Sequence, residues 1–308
     1  MTGIRITGWG IALPDKIVTN DDMAASLDTS DAWIVERTGI RERHIGGTTS
    51  GLAIEAGQEA LARAGRTGAQ VEHLILATTT PDGIIPGTAP TVQNALGTTG
   101  GAFDINAACS GFVYGLVIGA GLIATGSGPI LLIGSETLSK FTDMDDRSIA
   151  IIVGDGAGAV LIEPIDGPGQ LLSWNLNSEG SLRHLLYCEH GGTLFMDGKE
   201  VFRKAVRVVV ESAERAMADA GIGPDDVSLL VPHQANLRII VAACQRLGIP
   251  EERTVVVIDR YGNTSSASIP LALHDAITTD RVHDGDNLLL TGFGGGMTWA
   301  SAVLRWGA

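Results

Sequence analysis

Apolar and polar residues alternate with two rhythms along this chain. Residues 55–75, EAGQEALARAGRTGAQVEHLI, carry alanine and leucine at helical spacing, stop at Ala64-Gly65, and resume as a short apolar run. That pattern predicts an amphipathic helix, a glycine stop and a buried strand. Residues 211–231, ESAERAMADAGIGPDDVSLLV, repeat the order without a gap. Glu55, Ala60, Ala62, Ala64, Gly65, Val71 and Leu74 match Glu211, Ala216, Ala218, Ala220, Gly221, Val227 and Leu230. Later runs follow suit: 130–134 resembles 288–292, and 159–161 resembles 302–304. The last two runs each follow a glycine-rich turn, 154–158 and 292–296. A repeat near half the length predicts two similar α/β halves, 1–165 and 166–308, with mixed sheets covered by helices. A site is expected at their junction.

The stretch from Ile105 to Ser135 has no charged residue. Glycines and Ser127-Gly128-Pro129 interrupt it below the length a membrane span needs. It predicts a small-residue helix at about 109–125, a turn at 126–129 and a buried strand at 130–134. Elements without charge belong in the middle of a layered fold.

Composition narrows the picture. Hydrophobic residues make up 44% and charged residues 18% of 308, enough for a large core and against disorder. Asp and Glu outnumber Lys and Arg by 35 to 21, a net charge of −14, which argues against nucleic acid as a partner. Three cysteines make no disulfide framework, and the start lacks a secretory pattern, so a cytoplasmic setting is expected.

Three residues carry candidate chemistry. Cys109, in Asn106-Ala107-Ala108-Cys109-Ser110-Gly111, stands where an apolar strand gives way to the long helix. Helix N–H groups and the dipole there favour a thiolate, so its pKa is expected to be lowered. The plainer reading is a buried, inert cysteine. His233 follows the apolar run Leu229–Pro232, at a strand end, where α/β folds present polar chemistry; a structural histidine is the plainer reading. Asn263 follows an expected strand at Thr254–Ile258, and its amide can donate to an oxyanion; otherwise it is a turn residue. Aligning the halves sets Ser265 opposite Cys109. The GDGAG at 154–158 lacks the dinucleotide spacing and precedes a strand. The other histidines show no ligand spacing, so no metal is expected. Cys188 and Cys244 are read as space-filling.

Together these segments resemble the β-ketoacyl-[acyl carrier protein] synthase III family of condensing enzymes, in the thiolase superfamily. The resemblance is carried by 28–43 (DTSDAWIVERTGIRER), 107–112 (AACSGF), Asp146-Arg147, 154–159 (GDGAGA), 231–238 (VPHQANLR), 261–265 (YGNTS) and 292–299 (GFGGGMTW). It implies a five-layer αβαβα fold, a homodimer, no bound cofactor and no membrane insertion. It implies a Cys109, His233 and Asn263 site, with Gly295 at the oxyanion and Phe293 beside the nucleophile. Acyl-CoA would acylate Cys109, and malonyl-acyl carrier protein would then lose CO2 and condense. Trp33, Arg37, Thr38 and Arg147 would hold CoA. Arg203 and Arg238, with Arg246 on the same helix as Arg238, would dock the acidic carrier protein, aided by Lys204 and Arg207. Ile85 stands where the partner subunit reaches into the acyl pocket. The segment between Leu186 and Met196 is shorter than in typical members. The alternative is a same-fold acyltransferase of secondary metabolism that transfers without decarboxylation.

Overall fold

The computed structural model describes residues 2–307. One sheet joins β1 (Thr2–Ala12), β2 (His73–Ala77), β3 (Gly101–Ile105), β4 (Ile130–Thr137) and β5 (Asp155–Asp166) in the order β1-β5-β4-β2-β3. Its β4, β2 and β3 run parallel, and β5 and β1 add on antiparallel. A second sheet joins β6 (Leu171–Ser178), β7 (Leu229–Pro232), β8 (Asn287–Gly294) and β9 (Thr298–Arg305) in the order β7-β8-β9-β6. There only β7 and β8 are parallel.

The longer helices are α1 (Asp31–Thr38), α2 (Thr49–Arg63), α3 (Ala89–Leu96), α4 (Gly111–Ala124), α5 (Gly198–Ala220), α6 (Leu237–Leu247) and α7 (Ser268–Thr278). Helices α2 and α3 cover the outer face of the first sheet, and α5 and α6 that of the second. Helices α4 and α7 lie between the sheets and touch both. This is the five-layer αβαβα arrangement, with mixed sheets. The central core runs from Ile75, Leu132 and Ile162 through Phe112, Leu116, Ile269 and Leu273 to Val231, Leu290 and Ala302.

The middle layer explains the uncharged stretch. Any charge on α4 facing either sheet would lose water without gaining a partner. The helix starts two residues later than the sequence suggests, because Ala108–Ser110 form a separate tight turn. Strand β4 runs on to Thr137, with all eight residues buried. Among the described residues no helix is long and apolar enough to cross a membrane.

The expected strand at Thr254–Ile258 does not form. A single bridge joins Leu230 and Thr254. The side chain of Gln234 takes the place of a neighbouring strand: its Nε2 donates to the Val255 carbonyl at 3.1 Å, and its Oε1 accepts from Val257 N at 2.9 Å and Ile258 N at 3.1 Å. One buried amide thus satisfies the backbone groups that a ladder would otherwise pair.

Backbone approaches closely across the middle layer at Gly134. A Cβ there would lie 2.3 Å from the Ser266 carbonyl oxygen, in the turn before α7. Gly134→Ala should therefore cost about 2 kcal/mol or more, as overpacking against backbone does. Urea unfolding measures it; an unchanged midpoint would show that the turn shifts freely.

Candidate active site

Two tight turns of the same shape meet between the sheets. Ala108–Ser110 leads into α4, and Ser265–Ala267 leads into α7. Ala108 and Ser265 both have φ 48. Asn106 Oδ1 accepts from Ala108 N at 3.2 Å, and Asn263 Oδ1 accepts from Ser265 N at 2.9 Å. Ser265 is therefore the counterpart of Ala108 and Ser266 that of Cys109, one residue away from the register that the aligned halves suggest. Asn106 is the counterpart of Asn263. It lines the same cavity and went unnoticed in the sequence. The signal was present: in each half an asparagine stands two residues before the first residue of the turn.

A cavity of about 750 Å³ opens over these turns. Cys109, Asn106, Asn263, Ser265, Gly295 and Gly296 are on its wall. Leu138, Phe141, Ile149, Val153, Leu194 and Met196 make one side apolar. The segment flagged as short forms a two-stranded hairpin, Leu186–Tyr187 with Phe195–Met196, that borders the cavity. Leu194 N ties it to the Phe141 carbonyl at 2.7 Å. Cys188 in this hairpin is exposed and lines the cavity, so it does not fill space as expected. Cys244 does, buried against Thr254 at 3.2 Å.

Gly294 lets the end of β8 press on the nucleophile's turn, since a Cβ there would lie 2.5 Å from Cys109 N. The expected lowering of the thiol pKa is overturned. Burial pushes the Cys109 thiol up to about 12; a hydrogen bond from Ser265 lowers it and the charge of Glu136 raises it. Cys109 is half-buried, with protein packed behind it and the cavity in front. Desolvation of an anion there outweighs the dipole of the adjoining helix.

His233 continues β7, with its backbone N bonded to the Thr291 carbonyl at 2.7 Å. It is 4% exposed and stands just behind the cavity wall, its ring edge-on to Phe293 at 5.6 Å. Gly292 separates it from Cys109: a Cβ on that glycine would lie 3.4 Å from the Cys109 carbonyl oxygen and 3.6 Å from His233 Cβ. Burial pushes its pKa down to about 3, so the ring is neutral. His233 Nδ1 is 2.5 Å from Ser268 Oγ, and that oxygen already accepts from Gln234 N at 3.1 Å. Among the described residues the Ser268 hydroxyl has no acceptor other than Nδ1, which assigns its proton to Nδ1 and the ring proton to Nε2. Nε2 is buried without a partner among the described residues. Asn263 is oriented in the same sense: Oδ1 is engaged by Ser265 N, and among the described residues no acceptor takes Nδ2. The site thus holds a thiol and two neutral donors whose protons have no protein acceptor.

The remaining candidates are spread over the surface. Trp33 has the Arg37 guanidinium 5.6 Å and the Arg147 guanidinium 4.8 Å from its ring centre. Arg147 opens the short helix Arg147–Ala150, which supplies Ile149 to the cavity wall. Thr38 is 3% exposed; its hydroxyl donates to the Ile34 carbonyl and accepts from Ile40 N, so it steadies the end of α1 instead of facing a ligand. Arg238 stacks over Phe202 at 5.8 Å, next to Arg203, which pairs with Glu200. Arg246 lies about 12 Å farther along α6. Ile84 and Ile85 are 72% and 91% exposed. Among the described residues no group of three or more His, Cys, Asp and Glu is placed to hold a metal ion.

Two pH effects follow. Alkylation of Cys109 by iodoacetamide should rise tenfold per pH unit to beyond pH 9 without a plateau; a plateau near pH 7 would show that the helix terminus wins over burial. His233 has a folded-state pKa below its unfolded one, so the unfolded chain binds its proton first. It should erode stability as pH falls from 6.5 toward 3 and contribute no pH dependence above that window. A ring that titrates near pH 6.5 by NMR in the folded protein would contradict this.

The family model described as 3-oxoacyl-[acyl-carrier-protein] synthase III matches residues 103–180, and its C-terminal companion matches residues 217–306. Beta-ketoacyl-[acyl-carrier-protein] synthase III of Roseiflexus castenholzii is 48% identical, over 98% of each chain. The crystal structure of 3-oxoacyl-[acyl-carrier-protein] synthase III from Aquifex aeolicus superposes with a TM-score of 0.96 at 44% identity, covering 99% of this chain and 100% of that one. The corresponding structure from Pseudomonas aeruginosa gives 0.95 at 43%, covering 99% and 98%. With relatives this similar along their whole length, the chain belongs to the β-ketoacyl-[acyl carrier protein] synthase III family.

Proposed function

We propose that this protein condenses an acyl group from acyl-CoA with malonyl-acyl carrier protein, releasing CO2, as a priming step of fatty acid synthesis. The observation that carries the reading is the pairing of a cavity-lining thiol with two uncharged, unpartnered donors, His233 Nε2 and Asn263 Nδ2.

Cys109 sulfur attacks the acyl-CoA carbonyl. The C–S bond to CoA breaks, and the proton lost by Cys109 leaves with the CoA sulfur. Gly295, at the cavity wall beside Cys109, is read as an oxyanion donor, with Cys109 N. Malonyl-acyl carrier protein then enters. His233 and Asn263 donate to its thioester oxygen while the C–C bond to the carboxylate breaks, giving CO2 and an enolate. Neutral donors stabilise the enolate without a fixed positive charge that would hold the departing carboxylate in place. The enolate carbon attacks acyl-Cys109, the C–S bond breaks, and β-ketoacyl-acyl carrier protein forms; the departing Cys109 thiolate takes one proton from water to restore the thiol. Phe293 packs on His233 and keeps that ring dry and neutral. No bound cofactor is required for these steps.

CoA is read at Trp33, Arg37 and Arg147, where planar cationic and aromatic groups suit a purine and phosphates. The acidic carrier is read at the exposed Arg203, Arg238 and Arg246, a local basic surface on a chain of net charge −14. Arg203 and Arg207 each pair with a neighbouring glutamate on α5, which tempers that surface. The exposed Ile84 and Ile85 support a homodimer in which this loop is covered by the second subunit. A cytosolic setting agrees with three unpaired cysteines.

Intact mass after incubation with a panel of acyl-CoAs tests the first step. The wild type should gain one acyl group, and Cys109→Ala none, with condensation down about 1000-fold or more. Wild-type turnover in Cys109→Ala would exclude the assignment. Asn263→Ala should slow CO2 release about 100-fold but leave self-acylation nearly intact; equal loss of both would reduce Asn263 to holding its loop.

A further inference from the structure

We propose that Glu136 is a positioning residue for decarboxylation: through Ser265 it holds the Asn263 carboxamide with Nδ2 toward the cavity. This rests on the function proposed above.

Glu136 lies on β4, in the middle of the protein, with no solvent exposure. Among the described residues no cation pairs with it. Buried carboxylates without a cation are costly unless donors surround them. Here the donors come from two segments far apart in sequence. Oε2 accepts from the Thr78, Thr79 and Thr80 hydroxyls at 3.3, 2.9 and 2.7 Å. Thr79 N is 3.1 and 3.0 Å from the two oxygens. Oε1 accepts from the Ser265 hydroxyl at 3.0 Å and lies 2.8 Å from the Ser266 hydroxyl, whose single proton is shared with the Ala77 carbonyl at 2.7 Å. Thr79 and Thr80 border the cavity on one side and Ser265 on the other. Glu136 ties the two sides together behind the nucleophile.

The link to the reacting atoms is short. Ser265 has a backbone conformation that L-residues seldom adopt, and its N–H is the donor that engages Asn263 Oδ1. An amide turned the other way would point Oδ1 at the developing enolate and repel it. Holding Ser265 therefore selects the useful face of Asn263. Glu136 also faces Cys109 with its charge and raises the thiol pKa. His233, next to Cys109, is neutral, and Asp82, Arg183, Cys188, Glu189 and His190 line the same cavity.

The test compares wild type, Glu136→Gln and Ser265→Ala in the full-length protein. The glutamine keeps the shape, and the serine and threonine hydroxyls can turn to accept from its NH2. Ser265→Ala keeps the peptide N–H but cuts the tether. Each protein is first acylated with the acyl-CoA that labels the wild type, followed by intact mass. CO2 release from carboxyl-labelled malonyl-acyl carrier protein is then measured in a single turnover.

Glu136→Gln should release CO2 about 10-fold more slowly or worse, with acylation within about 3-fold of wild type. Its Cys109 alkylation profile should shift to lower pH, because a negative charge facing the thiol is gone. Ser265→Ala should slow CO2 release in the same direction. Wild-type CO2 release from the acylated enzyme in either variant overturns the inference, as does parallel loss of acylation and CO2 release in Glu136→Gln; Ser265→Ala is judged on CO2 release alone, because its hydroxyl also reaches Cys109. Should Glu136→Gln not fold, Ser265→Ala decides alone. A wild type that acylates but releases no CO2 would instead overturn the proposed function, and this inference with it.

Discussion

Two sheets pressed onto one shared layer of helices set the terms for everything else in this protein. Helices α4 and α7 pack against a sheet on each side, so their N-terminal turns are brought face to face, away from bulk water. Such a layer admits small and apolar residues and rejects charge, as the uncharged α4 and the contact at Gly134 show. Cys109 and His233 inherit that dryness. It keeps the Cys109 thiol protonated and the His233 ring neutral.

A dry site with neutral donors suits a reaction whose difficult species is an enolate. Water would compete for the donors and dilute their field, whereas fixed N–H groups do not need to reorganise. Glu136 runs against this trend, a carboxylate at the most buried level of the fold. Its ring of hydroxyl and N–H donors makes it tolerable. The cavity wall then gains rigidity at the place where the two turns meet.

Much of the architecture could be read from the chain. The repeated helix-stop-strand pattern reflects burial on one face, which local spacing records directly. The uncharged stretch announced the middle layer. Cys109, His233 and Asn263 stood out because each follows an apolar strand-like run. Other readings failed where a long-range partner took over. Gln234 replaced the strand expected at Thr254–Ile258, and no local rule foretells a side chain standing in for a ladder. Cys188 reads as packing from sequence because its hairpin gains meaning only against the cavity.

The sequence alone determined the fold class and the family, because these depend on periodicity and on motifs contiguous along the chain. Tertiary structure decided the protonation and orientation of the site. Helix position argued for a thiolate, but enclosure by both halves reversed the sign. The tautomer of His233 depends on Ser268, thirty-five residues away, and the sense of the Asn263 amide on the Ser265 N–H, whose side chain is bonded to Glu136 of the other half. Desolvation and hydrogen-bond direction are properties of a packed interior, and they exist only once distant segments have closed around the same few atoms.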